Sequence, residues 1–360
     1  MHPSKPQITP NTFYHTITSS SNLSNSQITI YFITGNPGLI GYYYPFLSLL
    51  SSVLSTLSGT SNDGVSFRIY GRSLAGFEVG NEIEDRNGAK TGDGCHDLED
   101  QICYVQRGLD EVVNGTTDSD LKNPTQKQKV ILIGHSVGSY IAMEVLRRHR
   151  ESQKIERGVS ETDEEGGFEI IGGIMLFPTV VDIAKSPSGV KLTKLLSLVP
   201  HLALIASFFA TIFTVLLPDP ILRYLIKGLM GSLPDEVLDT TLAFLKSKQG
   251  VKQAIHMGAD EMRTITSDKW SDDIWGTATP STKTDNKVPA AKLFFYFGRN
   301  DHWVADQTRD DIIEVRGKME GKDGPETLVC EDGVPHAFCL RHSGIMARKV
   351  GGMIKDILRR

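Results

Sequence analysis

Cysteine is scarce in this chain. Cys95, Cys103, Cys330 and Cys339 are the four in 360 residues, with no C-x-x-C pair among them and no histidines at zinc-ligand spacing. That excludes a disulfide-framed miniature domain and a structural zinc module, and so few thiols in so long a chain fit the reduced residues of an intracellular protein. A basic excess is missing as well. The formal net charge is -5 and the sequence pI near 6.1, no nucleic-acid motif accompanies them, and binding to nucleic acid is not expected. Residues 1–25 are polar and lack the apolar core of a secretory signal, which points to synthesis and folding in the cytosol. A simple membrane-spanning helix is absent too. The uncharged stretch 202–217 is bracketed by Pro200 and Pro218, and as a helix it would run roughly 24 Å, short of the ~30 Å hydrocarbon core of a bilayer. No internal repeat is visible.

What is present is an ordinary globular composition, 39% hydrophobic and 22% charged, in a chain long enough for one large α/β domain with an insertion. Strands are predicted at 12–18, 27–34, 65–70, 129–133, 168–177, 291–297 and 327–330. Helices are predicted at 47–57, 97–113, 138–148, 308–317 and 344–358. Strands alternating with helices argue for a mostly parallel sheet with helices on both faces. Residues 80–94, 151–167 and 269–287 are polar and read as surface loops or solvated connections, and 185–230 is unusually apolar. The core is assigned to 1–184 and 285–360, and the insertion to 185–284.

The chemistry starts at Gly134-His135-Ser136-Val137-Gly138. In isolation G-x-S-x-G is weak, since chance supplies it to about one chain in ten of this length. Here an apolar strand precedes it and a helical pattern follows, which is the strand, sharp turn and helix that expose a nucleophilic hydroxyl at the top of an α/β-hydrolase sheet. A serine hydroxyl needs an imidazole to accept its proton and an acid to orient that imidazole, and in this fold they follow in the order Ser, Asp or Glu, His. Asp301 stands a few residues beyond the strand 291–297, with N-capping of the next helix as its plain alternative and Asp306 as a competitor. His336 stands in the loop after 327–330. His342 is its rival, His302 reads as a pocket or surface residue, and His135 as a packing neighbour of the nucleophile. The oxyanion of a tetrahedral intermediate needs two N–H donors. The Val137 amide is one. The loop Gly35-Asn36-Pro37-Gly38 offers the other: Pro37 has no N–H, so Asn36 is favoured over Gly38, and a simple turn is the plain alternative. Nothing in this scheme needs a metal or an organic cofactor.

The insertion carries a second signal. Its flanks are amphipathic, with Leu192, Leu195, Leu196 and Val199 edged by Lys191 and Lys194. On the other side Ile221, Leu222, Leu225, Ile226 and Leu229 are edged by Arg223 and Lys227, placed to meet head groups. This predicts a segment, 189–230, that lies in a lipid surface without crossing it. A lid packed over the active site is the plain alternative, and both readings can hold at once.

Taken together these residues resemble the lipid droplet-associated serine hydrolases. The resemblance is carried by Gly35-Asn36-Pro37-Gly38 with Tyr42-Tyr43-Tyr44-Pro45-Phe46, by Gly134-His135-Ser136-Val137-Gly138-Ser139-Tyr140, by Asp301-His302-Trp303-Val304, and by Pro335-His336-Ala337-Phe338 with Leu340-Arg341-His342. It implies an α/β-hydrolase fold and a triad of Ser136, Asp301 and His336. It also implies neutral-lipid ester substrates, sterol esters or acylglycerols, and a station at lipid droplets and the cytosolic face of the endoplasmic reticulum. The alternative function is a weakly or non-catalytic droplet scaffold that keeps the fold for lipid-surface or protein binding.

Overall fold

The computed structural model describes residues 5–18, 27–60, 65–80, 94–115, 127–159, 167–277, 290–318 and 324–359. Strict alternation in β2 (Thr12–Ile17) buries every second side chain, the mark of an outer strand with one wet face. The runs in β3 (Gln27–Ile33), β5 (Gln128–His135), β6 (Phe168–Leu176) and β7 (Lys292–Phe297) are almost continuously apolar and almost continuously buried, as parallel strands covered on both faces must be. With β1 (Gln7–Ile8), β4 (Ser66–Arg72) and β8 (Glu326–Val329) they form an eight-stranded sheet in the order β1-β2-β4-β3-β5-β6-β7-β8. Only the β1-β2 and β2-β4 pairs are antiparallel.

Helices pack around this sheet. Among them α1 (Tyr44–Thr60) lies against α11 (Ser343–Leu358), and α2 (Leu98–Asn114) against α3 (Val137–Val159); α10 (Asp306–Arg316) joins β7 to β8. Asp97 starts α2 by a reciprocal capping box with Asp100, so the helix begins one residue after the sequence expectation. The chain leaves β3 for β4 on one side and returns to β5 on the other. The crevice between the carboxyl ends of β3 and β5 is therefore a topological switch point, where open α/β sheets seat their ligands.

Two expectations need correction, and one strand was not expected. The two-residue β1 is too short to leave a sequence pattern. The connection expected from 151 onward is helical through 159, because α3 continues; 160–166 lie outside the described residues. The polar stretch from 269 is not simply a loop, since Trp270 and Trp275 are buried and the short α9 (Asp272–Trp275) forms there. Trp270 donates from Nε1 to Glu144 Oε1 at 2.7 Å, which staples this segment to α3. Residues 278–287 and the excursion at 81–93 lie outside the described residues.

Between β6 and β7 the chain also builds α4 (Pro187–Leu198), α5 (Leu202–Leu216), α6 (Asp219–Met230), α7 (Asp235–Lys246) and α8 (Gly250–Thr264). They fall into two groups. α7 and α8 bury a full face each, with Val237, Leu238 and Leu242 on one and Met257, Gly258 and Met262 on the other. α5 buries no residue at all, and α6 only Leu222 and Ile226. No single helix among the described residues is long and apolar enough to cross a membrane; α4 and α5 reach that length only as a pair bent by 92°. Arg223 and Lys227, expected to meet head groups, stand at the surface and pair with Asp239 and Asp235 of α7. Lys191 and Lys194 remain exposed.

Candidate active site

β5 ends in the glycine-flanked turn, and Ser136 sits there with a φ of 54°, a left-handed conformation that lifts its side chain out of the strand. Both glycines are sterically required. A Cβ on Gly134 would stand 2.3 Å from the Gly138 carbonyl oxygen, and one on Gly138 would stand 2.5 Å from the carbonyl oxygens of Ile33 and Thr34. The Ser136 amide donates to the Leu176 carbonyl at 2.9 Å, and its own carbonyl accepts from the Ser139 amide at 2.9 Å. The two residues on either side are buried, while Ser136 itself keeps partial access to solvent.

The loops after β7 and β8 bring the other two candidates to the same edge of the sheet. His336 Nε2 lies 2.9 Å from Ser136 Oγ, and His336 Nδ1 lies 2.9 and 2.8 Å from the two carboxylate oxygens of Asp301. A carboxylate only accepts, so Nδ1 carries the proton and Nε2 is left to accept from the serine hydroxyl. Asp301 is nearly inaccessible, its side chain 2% exposed, and is held by the Trp303 amide at 2.8 Å. Asp301 is not the cap of α10, whose N-cap is Ala305. The competitor Asp306 is exposed in the first turn of α10 and pairs with Arg309 at 2.7 Å. His342 precedes α11, where its amide bonds the Phe338 carbonyl, and His302 is exposed.

The loop after β3 faces the elbow. The Gly35 amide donates to the Tyr43 hydroxyl at 3.1 Å, whereas the amides of Asn36 and Gly38 have no hydrogen-bond partner among the described residues. Val137 opens α3, where first-turn amides have no intrahelical acceptor. The Asn36 side chain is held by α8. Its Nδ2 donates to the Ala254 carbonyl and to Glu261 Oε1, both at 2.9 Å, and so ties this loop to α8. Burial pushes the Glu261 carboxyl up to about 8; the Asn36 hydrogen bond lowers it in part and Asp260 adds to the rise. Arg341, from the loop that carries His336, donates to the carbonyls of Met230 and Ser232 at the end of α6.

His135 does more than pack. It is buried, its Nδ1 lies 2.7 Å from the Tyr43 hydroxyl, and its Nε2 lies 2.9 Å from the His336 carbonyl oxygen. Burial chiefly, and the nearby His336, lower it to about 3 against the opposing pull of that carbonyl. Sequence reasoning gave no role to Tyr43 or Glu261. The tyrosine stood in a run of three, and the glutamate in a polar helix where nothing distinguishes it from a solvated residue.

Comparison with known proteins bears on the family and the fold. The family model for lipid-droplet associated hydrolases matches residues 26–339. A lipid droplet-associated hydrolase of Gallus gallus is 27% identical over 91% of this chain and 84% of its own length, and that of Homo sapiens is 24% identical over 94% and 87%. Among solved structures, a peroxisomal α/β-hydrolase of Saccharomyces cerevisiae superposes with a TM-score of 0.56 at 12% identity, over 99% of this chain and 88% of that one. A haloalkane dehalogenase of Bradyrhizobium elkani gives 0.52 at 11% identity, over 99% and 98%. At such identities these two structures speak for the fold alone.

Proposed function

This chain belongs to the lipid droplet-associated hydrolases, and from that membership and the geometry of its site we propose that it is a serine ester hydrolase. The observation that carries the reading is the unbroken hydrogen-bond chain from Ser136 through His336 to Asp301 at the carboxyl edge of the sheet. Ser136 Oγ attacks the acyl carbonyl while His336 Nε2 takes its proton. Asp301 keeps the imidazole in the Nδ1–H tautomer and stabilises the imidazolium as it forms. Charge developing on the carbonyl oxygen is met by the amides of Val137 and Asn36. His336 then returns its proton to the leaving alcohol, and water repeats the sequence to free the acid.

The proposed substrates are neutral-lipid esters, sterol esters or acylglycerols, met at the droplet monolayer or the cytosolic leaflet of the endoplasmic reticulum. Support comes from the family and from the outer helices. Leu198, Phe208, Val215, Leu216, Tyr224 and Leu229 all project into solvent, the last 88% exposed. Large apolar side chains left exposed in such number on three successive helices mark a site of lipid or partner contact.

A fluorophosphonate probe tests the chemistry. The purified protein is expected to become labelled, and Ser136→Ala to lose both labelling and ester turnover. Labelling that persists in the variant, or a wild type that reacts with no probe and no ester, would overturn the assignment.

A further inference from the structure

The nucleophile's neighbour closes a second circuit around the site. The Tyr43 hydroxyl accepts from the Gly35 N–H at 3.1 Å and lies 2.7 Å from His135 Nδ1. His135 Nε2 lies 2.9 Å from the backbone oxygen of His336. Proton counting orders this chain. The His336 carbonyl can only accept, so the imidazole proton resides on Nε2; the neutral ring's Nδ1 then accepts the phenol proton of Tyr43, whose oxygen accepts from Gly35. Every polar atom of the two side chains is then used. Its ends are the loop that carries the Asn36 amide and the backbone of the residue that accepts the serine proton.

We infer that His135 and Tyr43 are positioning residues, which set the oxyanion loop and the backbone of His336 against each other across Ser136. This rests on the hydrolase reading above. Catalysis by a preorganised base and donor depends on sub-ångström placement, and both groups sit on loops beyond strand ends. The strands beneath cannot fix them relative to one another. A neutral imidazole with two distinct nitrogens can, because it spans the gap as donor on one side and acceptor on the other. Its surroundings keep it neutral: burial and the adjacent His336 both oppose protonation, and Phe177 and Phe338 pack edge-on against the ring. The Cys339 thiol beside Tyr43 is pushed up to about 12 by burial and brings no charge to the pair.

Tyr43→Phe removes one oxygen and nothing else from the packing. Its expected effect is a fall in kcat of about 10- to 100-fold on a soluble short-chain ester, with KM within threefold. Assays are run at a temperature where circular dichroism shows both proteins folded. His135→Gln, which keeps an amide donor where Nε2 stood, should retain at least fivefold more kcat than His135→Leu. In His-labelled protein the resonance of the proton between His336 and Asp301 should shift in Tyr43→Phe, a readout that needs no turnover. A kcat within twofold of wild type, a loss confined to KM, equal losses in the two His135 variants, or an unmoved His336 resonance would each overturn the inference. Failure of the hydrolase reading looks different: wild type itself neither turns over esters nor takes the probe, and the resonance still decides the positioning question.

Discussion

Two uncharged apolar stretches of this chain meet opposite fates. From Val130 to its end at His135, β5 is wholly buried, whereas α5, fifteen residues without a charge, contains no buried residue. Both are expensive to leave in water, at about 1.5–3 kcal/mol for each large side chain fully exposed. β5 meets that demand inside the molecule. Helices and neighbouring strands cover it, and its closure holds the elbow rigid enough to keep Ser136 in a left-handed conformation. α5 meets it only partly, by lying on α8 and α7, and the rest of its surface faces outward. One run is apolar so that the fold can form; the other stays apolar after the fold has formed, and so asks for another apolar phase.

The largest expected effect lies on the closed side. Asp301→Asn keeps the shape of the acid but lets its amide favour the wrong imidazole tautomer, and ester turnover should fall by about 10³–10⁴-fold. Asp306→Asn, on an exposed residue paired only with its own helix, should stay within threefold of wild type. Steady-state kinetics on one soluble ester compares the two. Equal losses would mean that the acid of the site has been misassigned.

On the open side, replacing Phe208, Val215, Leu216 and Leu229 together by serine should leave turnover of a soluble ester within threefold. Partition onto triacylglycerol emulsions should fall by about 10²–10³-fold, since each side chain is more than half exposed and brings about 1 kcal/mol to a lipid surface. Flotation with emulsion measures it. Undiminished flotation would reduce the outer helices to a lid. Flotation that survives Ser136→Ala, in a wild type inert to every ester, would favour the scaffold function.

Much of this contrast was legible in the residues. Order along the chain singles out Ser136, Asp301 and His336, and the fold brings them within hydrogen-bond distance, because strand ends in an α/β sheet converge on one edge whatever the loops between them. The apolar insertion was legible by its lack of charge. What escaped depends on pairing between distant segments. That Arg223 and Lys227 pair with acids on α7, sixteen residues away in the case of Asp239, is something the composition of one helix cannot show. Tyr43 gains its meaning only when the loop after β3 folds over His135, 92 residues distant. Trp270 and Trp275 sat in a polar context that suggested solvent, and burial against α3 overrode it.

The smallest effect tests whether the two sides are joined. Glu261 lies on α8, under α5, and its carboxyl holds the Asn36 side chain at 2.9 Å. Burial raises that carboxyl to about 8 in the folded protein, against about 4.3 when unfolded. The folded state therefore binds the extra proton, and stability must decline as pH rises between these values. The contribution is complete below the unfolded value and gone above the folded one. Glu261→Gln keeps an acceptor for Asn36 and cannot ionise. Between pH 5 and 8 the wild type should lose about 2–3 kcal/mol relative to this variant, allowing for relaxation around the charge. Thermal unfolding of both proteins from pH 4 to 8 should show curves that nearly meet at the acid end and separate by several degrees at pH 8. Parallel curves would mean that Glu261 reaches water, and that α8 is not the closed joint through which the outer helices rest on the loop after β3.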